Sequence, residues 1–149
     1  MPRPSAFIAA LIVAVSVSSL APAQQPAPAP AQPPIVPDVF AAALMAKDGA
    51  TVRAHGTTQM ATGMTDIAIG QLMFAVTAQV GEGAIAEPAW KEKEAEGYAH
   101  WRVPVRGSRI TLDFEVVVDG QDKVAGLWLR PHLKTPAEAA AAPVPGSPR

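Results

Sequence analysis

Apolar positions recur along this chain first at helical and then at strand spacing. In DVFAAALMAKDGATVRAH, residues 38–55, Val39, Ala42, Ala43 and Ala46 fall at helical intervals with Phe40 and Leu44 beside them. Asp38, just after Pro37, suits the amino-terminal cap. Lys47-Asp48-Gly49 either breaks this helix or, through Gly49, weakens it. A second helix is predicted with Thr65 or Asp66 as its cap. Ile69, Leu72, Met73, Val76 and Val80 form one continuous apolar stripe along it, and Gly81 and Gly83 end it.

Beyond residue 97 the period becomes two. Tyr98 to Val105 sets Ala99, Trp101, Val103 and Val105 against Tyr98, His100 and Arg102. Ser108 to Val118 sets Ile110, Leu112, Phe114, Val116 and Val118 against Arg109, Thr111, Asp113 and Glu115. With Arg106-Gly107 as a two-residue hairpin loop, Val103 faces Ile110, Trp101 faces Leu112 and Ala99 faces Phe114. The other face then pairs Arg102 with Thr111, His100 with Asp113, and Tyr98 with Glu115. Taking Asp119–Asp122 as the next loop sets Ala125, Leu127 and Leu129 opposite Val116, Phe114 and Leu112, leaving Gly126 and Trp128 on the other face. A charged segment, Glu87 to Ala95, suits an edge strand entering a hairpin at Glu96-Gly97. A helix with Pro88 in its first turn is the alternative reading. These patterns predict a two-layer α+β domain: two N-terminal helices packed on the apolar face of a four-stranded antiparallel sheet.

Proline marks the limits of that domain. Of 16 prolines, only Pro88 and Pro104 lie between Asp38 and Arg130, and a residue that lacks an amide donor is excluded from most regular structure. Residues 1–23 read as a signal peptide: Arg3, then the uncharged run Ala6 to Leu20, then Ala21-Pro22-Ala23 with cleavage before Gln24. An uncleaved anchor is the alternative, although the run is short for a membrane span. Residues 24–37 read as an Ala/Pro-rich linker, or more sharply as a ligand for proline recognition. Residues 38–133 are the folded domain, and 134–149 an Ala/Pro-rich tail expected to be disordered.

The implied location is periplasmic or secreted, with no stable membrane span after cleavage. Losing Arg3 leaves 11 basic against 13 acidic residues, about −2, which does not suit nucleic acid. The chain has no cysteine, so disulfides, thiolate chemistry and cysteine-linked lipids are excluded.

The stretch Gly97 to Pro131 resembles the carboxy-terminal half of the bacterial family called domain of unknown function 3887. The resemblance rests on the Arg106-Gly107 turn, Leu112-Asp113-Phe114, the Asp119-Gly120 turn and Val124-Ala125-Gly126-Leu127. It extends more loosely to Val39, through the opening helix Phe40 to Asp48, Met60, and Gly81 after the second helix. It implies a nuclear-transport-factor-2-like cone, with helices closing over a bent sheet. It implies no activity, since that family has none assigned and the wider superfamily includes enzymes, carriers and dimerisation modules.

Candidate chemistry is sparse. His100, Asp113 and Trp128 share the face away from the helices; an imidazole beside a carboxylate is the element of a general base, and an ordinary cross-strand pair is the plainer reading. Ser108 and Thr111 lack a nucleophile elbow. Tyr98, Arg102, Arg109 and Trp128 on that face suit an interface, for aromatics beside arginines are enriched where proteins meet. Leu72, Val76, Trp101, Leu112, Phe114 and Leu127 are the expected lining of any interior pocket. His55, His100 and His132 show no ligand spacing, and Met45, Met60, Met64 and Met73 suit core gaps better than copper, so neither metal nor cofactor is expected.

The sequence therefore points to an exported, non-enzymatic binding or assembly module. It would engage a second copy or an envelope protein through the sheet face, or a small apolar ligand between helices and sheet. The alternative is a hydrolase- or isomerase-like enzyme using the cone interior. That alternative needs ionisable groups pointing inward, and the inward set is apolar unless His55 or Glu92 lines an opening.

Overall fold

The computed structural model describes residues 34–141. Residues 1–33 and 142–149 lie outside the described part, and with them the expected signal peptide, most of the linker and half of the tail. Four helices precede the strands and one follows: α1 (Val36–Met45), α2 (Gly49–His55), α3 (Thr58–Gly63), α4 (Asp66–Val80), β1 (Ile85–Ala86), β2 (Trp90–Ala95), β3 (Tyr98–Arg106), β4 (Thr111–Val118), β5 (Val124–Pro131) and α5 (Pro136–Ala141). The expected α+β class and antiparallel pairing are present, with five strands rather than four and more helices than two.

The opening helix starts earlier than expected and breaks where Gly49 allowed. Pro37 sits in the first turn of α1, where its missing N–H is no loss. Asp38 is therefore inside the helix and does not cap it; its carboxylate accepts from the Ala89 N–H at 2.7 Å, tying α1 to the entry of β2. Lys47 takes a left-handed φ of 56°. The Lys47 and Asp48 amides then close back on Leu44 and Ala43, and Asp48 caps α2 by accepting from Thr51 N. Phe40, Ala41, Ala43 and Leu44 form the buried stripe of α1, whereas Ala42 and Ala46 are exposed, so the core-facing row is offset from the one read by spacing.

The second predicted helix is α4. Thr65 caps it by accepting from Ala68 N, Ile69, Met73, Val76 and Val80 are buried, and Gly81 ends it at a φ of 90°.

Strand parity matches the alternation, but both registers differ from those predicted. Val103 pairs with Phe114, Trp101 with Val116, Ala99 with Val118 and Arg102 with Glu115. The loop is Gly107–Ile110, four residues rather than the two of Arg106-Gly107, because the end of α4 claims it. Arg109 N donates to Val80 O at 2.8 Å, Ser108 N donates to Glu82 O, and Glu82 N donates to Ser108 Oγ. The next pair is displaced by two: Val116 opposes Leu127, Phe114 opposes Leu129 and Leu112 opposes Pro131, since the loop takes in Lys123, setting Val118 opposite Val124, and Ala125 then forms a bulge between Val124 and Gly126. Both slips are even numbers of residues, so the side chains of β3, β4 and β5 from Gly126 onward keep their predicted faces, whereas the bulge turns Val124 into the core and leaves Ala125, expected opposite Val116, exposed.

Of the segment predicted as an edge strand, Glu87 to Ala95, only Trp90–Ala95 is strand, and a further short strand, β1, precedes it. β1 pairs the far end of β3 and β2 its near end, each antiparallel. The gap falls at Glu87–Ala89, opposite Pro104. The amide and carbonyl of one strand residue point to the same side, so the donor Pro104 lacks faces this gap, and its carbonyl accepts from Glu87 N. The β2–β3 hairpin turns at Glu96-Gly97, both at positive φ, as expected for a two-residue loop.

Helices and the inner sheet face enclose one core. Phe40, Leu44, Val76, Val103, Phe114 and Val116 are fully buried, each contributing about 1.5–3 kcal/mol relative to exposure. Among the described residues no helix is long and apolar enough to cross a membrane.

Candidate functional site: the outer face of the sheet

The central strand β4 is buried on both faces. Its inner residues meet the helices, while its outer residues, Asp113, Glu115 and Val117, lie beneath charged side chains and the chain after β5. Asp113 is completely buried, and Glu115 is 7% exposed. Carboxylates this deep need compensating donors.

His100 does not meet Asp113. The four-residue loop slides β4 along β3, so His100 opposes Val117, and its Nδ1 lies 3.1 Å from Glu115 Oε1. Arg130 Nε donates to the other oxygen of Glu115 at 2.7 Å. Burial pushes the Glu115 pKa up, but the hydrogen bonds from Arg130 and His100 outweigh it and hold the carboxyl below its ordinary 4.5. Arg102 is buried too, its Nε donating to Glu92 at 2.6 Å. Burial disfavours its charge, and the Glu92 bond together with the charges of Glu115 and Asp113 reverses that, leaving its pKa raised. Glu92 is thus an outer-face ion-pair partner rather than part of an opening in the core.

Asp113 pairs with a residue that spacing did not connect to it. His132 Nδ1 lies 2.7 Å from Asp113 Oδ1, and Leu133 N donates to Oδ2 at 2.9 Å. The second nitrogen of His132 reaches Glu138 at 3.3 Å. Glu138 belongs to α5, where Thr135 and Glu138 exchange hydrogen bonds as a capping box: Thr135 N to Oε2 and Glu138 N to Oγ1. Residues 136–141 are therefore helical and held against the outer face, where composition predicted a disordered tail. The TPAE motif was the readable sign of it.

Arg109 is not on this face. The same loop carries it to the end of α4, where its guanidinium donates to Ala78 O at 3.0 Å. Tyr98 and Trp128 are on the face, at 42% and 48% exposure. With His100 and Val117 they line an open concavity of about 600 Å³ at the hairpin end of the sheet. Thr57 and Gln59 close one side and Glu96 and Asp119 stand on its rim. Thr57 and Gln59 come from the α3 region, which sequence periodicity missed because six residues are too few to show a stripe. The junction is fixed to β5 by the Thr57 N–H donating to Val124 O at 2.9 Å.

Of the interior set, Val76 and Phe114 are fully buried, Leu112 is 9% exposed, and Leu72, Trp101 and Leu127 are partly buried against the core. Lys91 lies over the Trp101 ring at 5.4 Å. His55 is partly buried at the end of α2. Among the described residues, no group of three or more His, Asp or Glu side chains is arranged to hold a metal ion.

Compared with models of known families, with curated proteins and with solved structures, the chain matches none.

The arrangement offers aromatic surface, hydrogen-bonding groups and carboxylates around a concavity, with His100 committed to Glu115 and no hydroxyl nucleophile bonded to it.

Proposed function

We propose that the protein is exported to the periplasm or beyond and serves there as a small non-enzymatic binding module that engages a protein partner through the outer sheet face. On this reading the domain is a compact relative of the nuclear-transport-factor-2-like cones, resembling domain of unknown function 3887. Export is supported by the run of residues 6–20 ahead of Ala21-Pro22-Ala23. The observation that carries the binding role is the pairing of exposed Trp128 and Tyr98 across an open concavity, beside a charge network that fixes the surrounding backbone. Aromatic anchors on a rigid scaffold are what interfaces use to bind at low entropic cost. A ligand held between helices and sheet has less support, because Phe40, Leu44, Val76, Phe114 and Val116 close that space completely.

The test is photo-crosslinking in cells that export the full chain. Tyr98→benzoylphenylalanine is expected to give protein adducts in the periplasmic or secreted fraction, and Gln71→benzoylphenylalanine, on the exposed side of α4, none. Absence of adducts at position 98, or equal yields at both positions, overturns the proposal.

A further inference from the structure

The outer-face concavity carries features that select one kind of protein segment, and the inference rests on that face being the binding surface. The far edge of the Trp128 indole lies over Gly126, and the side chain remains 48% exposed. Tyr98 stands on β3, two strands away and two residues beyond His100, which shares a row with Gly126, so it lies about 12 Å from the position under the ring. Prolines three apart in a polyproline II helix recur at about 9 Å, and such helices dock between aromatic side chains because they bring their conformation ready-made. The rim carries the carboxylates of Glu96 and Asp119, and the lining contains no lysine or arginine.

The chain itself supplies a segment of this chemistry. Residues 142–149 read APVPGSPR, with Pro145 and Pro148 three apart and Arg149 as the one charged side chain. They follow directly on α5, which His132 and Glu138 hold against the outer face over Asp113. From Asp113 to Val117 at the concavity is four residues of β4, about 13 Å. Eight residues of polyproline II reach about 25 Å. Reach and charge thus agree.

We propose that the concavity is a groove for an extended proline-rich segment, and that its occupant is residues 142–149 of the same molecule, so that an outside partner must displace them. Glu96 and Asp119 then attract Arg149, and the two aromatics receive Pro145 and Pro148.

The experiment compares the indole N–H resonances of the full chain with those of a Pro145→Ala, Pro148→Ala double variant, with Trp128→Phe identifying the Trp128 signal. The expected result is a shift of the Trp128 signal alone in the double variant, with Trp90 and Trp101 unmoved. Adding a synthetic peptide of residues 141–149 to the double variant should return the signal toward its original position. Three results overturn the proposal: a Trp128 signal identical in both proteins, a signal in the unsubstituted chain that changes on dilution, as exchange between copies would require, or a response to a peptide of residues 24–33 or to a soluble oligosaccharide but not to residues 141–149. If the signal is identical while crosslinks from position 98 to other proteins persist, the self-docked segment is rejected and the binding role of the face stands.

Discussion

The ring of Trp128 rests on Gly126, two residues earlier in β5, so closely that a Cβ at position 126 would collide with the far edge of the indole. Gly126 is buried beneath it, and the ring remains 48% exposed. The glycine thus sets how a surface tryptophan lies. Because that ring can swing into solvent, Gly126→Ala is expected to cost less than about 1 kcal/mol of stability. Near-ultraviolet circular dichroism should nevertheless change, as the indole leaves its fixed position. An unaltered spectrum with an unaltered melting temperature would show that the ring is not held this way.

Gly107 makes the opposite kind of contact. A Cβ there would run into the carbonyl of Val80, which is backbone at the end of α4 and already accepts from Arg109 N. Backbone cannot turn aside as a surface ring can. Gly107→Ala is expected to cost about 1–3 kcal/mol, visible as a lower urea midpoint. A smaller loss than that of Gly126→Ala would contradict the packing of this loop on α4.

The two glycines also mark what the sequence made legible. Alternation alone assigned the residues of β3, β4 and β5 from Gly126 onward to their faces, because a period of two survives any even slip, but it misplaced Val124 and Ala125 at the bulge. It did not assign His100 its partner. That depends on loop length, and the Gly107–Ile110 loop is held open by hydrogen bonds to Val80 and Glu82, residues distant in sequence. Likewise nothing local announced the bulge at Ala125. The α4 stripe was readable because fifteen residues carry four turns of pattern, whereas the six of α3 do not. The site inherited these limits: Tyr98 and Trp128 were found by parity, Thr57 and Gln59 were not, and Asp113 was joined to the wrong histidine.

Glu115 is the hub of the outer face, accepting from Arg130 and His100 with Arg102 directly opposite. Glu115→Gln preserves shape and removes the charge, leaving the cations uncompensated. Breaking a fully buried pair costs about 3–5 kcal/mol, but Arg130 is half exposed and can turn to water, so about 2 kcal/mol is expected in denaturant unfolding. Arg130→Gln should cost less, since His100 and Arg102 still face the carboxylate. Equal losses would show that Arg102 and His100 contribute nothing to holding Glu115.

His132 links the last strand, the central strand and α5, and both its ring nitrogens face carboxylates. Only the protonated ring can donate to both. Burial opposes its charge, but the hydrogen bond and charge of Asp113, with Glu138 behind them, raise its pKa above 6.5. Arg106 lies 3.8 Å from Glu138, and Arg130 pairs opposite Asp113, so cations also border the cluster. A raised folded pKa contributes stability that is complete below 6.5 and is lost as pH rises through the higher folded value. Glu115 acts in the other direction: its lowered pKa contributes stability above 4.5 that is lost as pH falls through the folded value. Urea midpoints should therefore peak on the acid side of neutrality and decline toward both ends. His132→Gln should flatten the alkaline decline and leave most of the acid one, which belongs to Glu115 together with Asp48 and Glu138, whose carboxyls are held low chiefly by hydrogen bonds from Thr51 and Thr135. It should also raise backbone amide exchange in residues 136–141 at acid pH, where the wild-type clamp is complete. A His132→Gln protein with an unchanged alkaline slope would mean that the Asp113–His132–Glu138 chain does not secure α5.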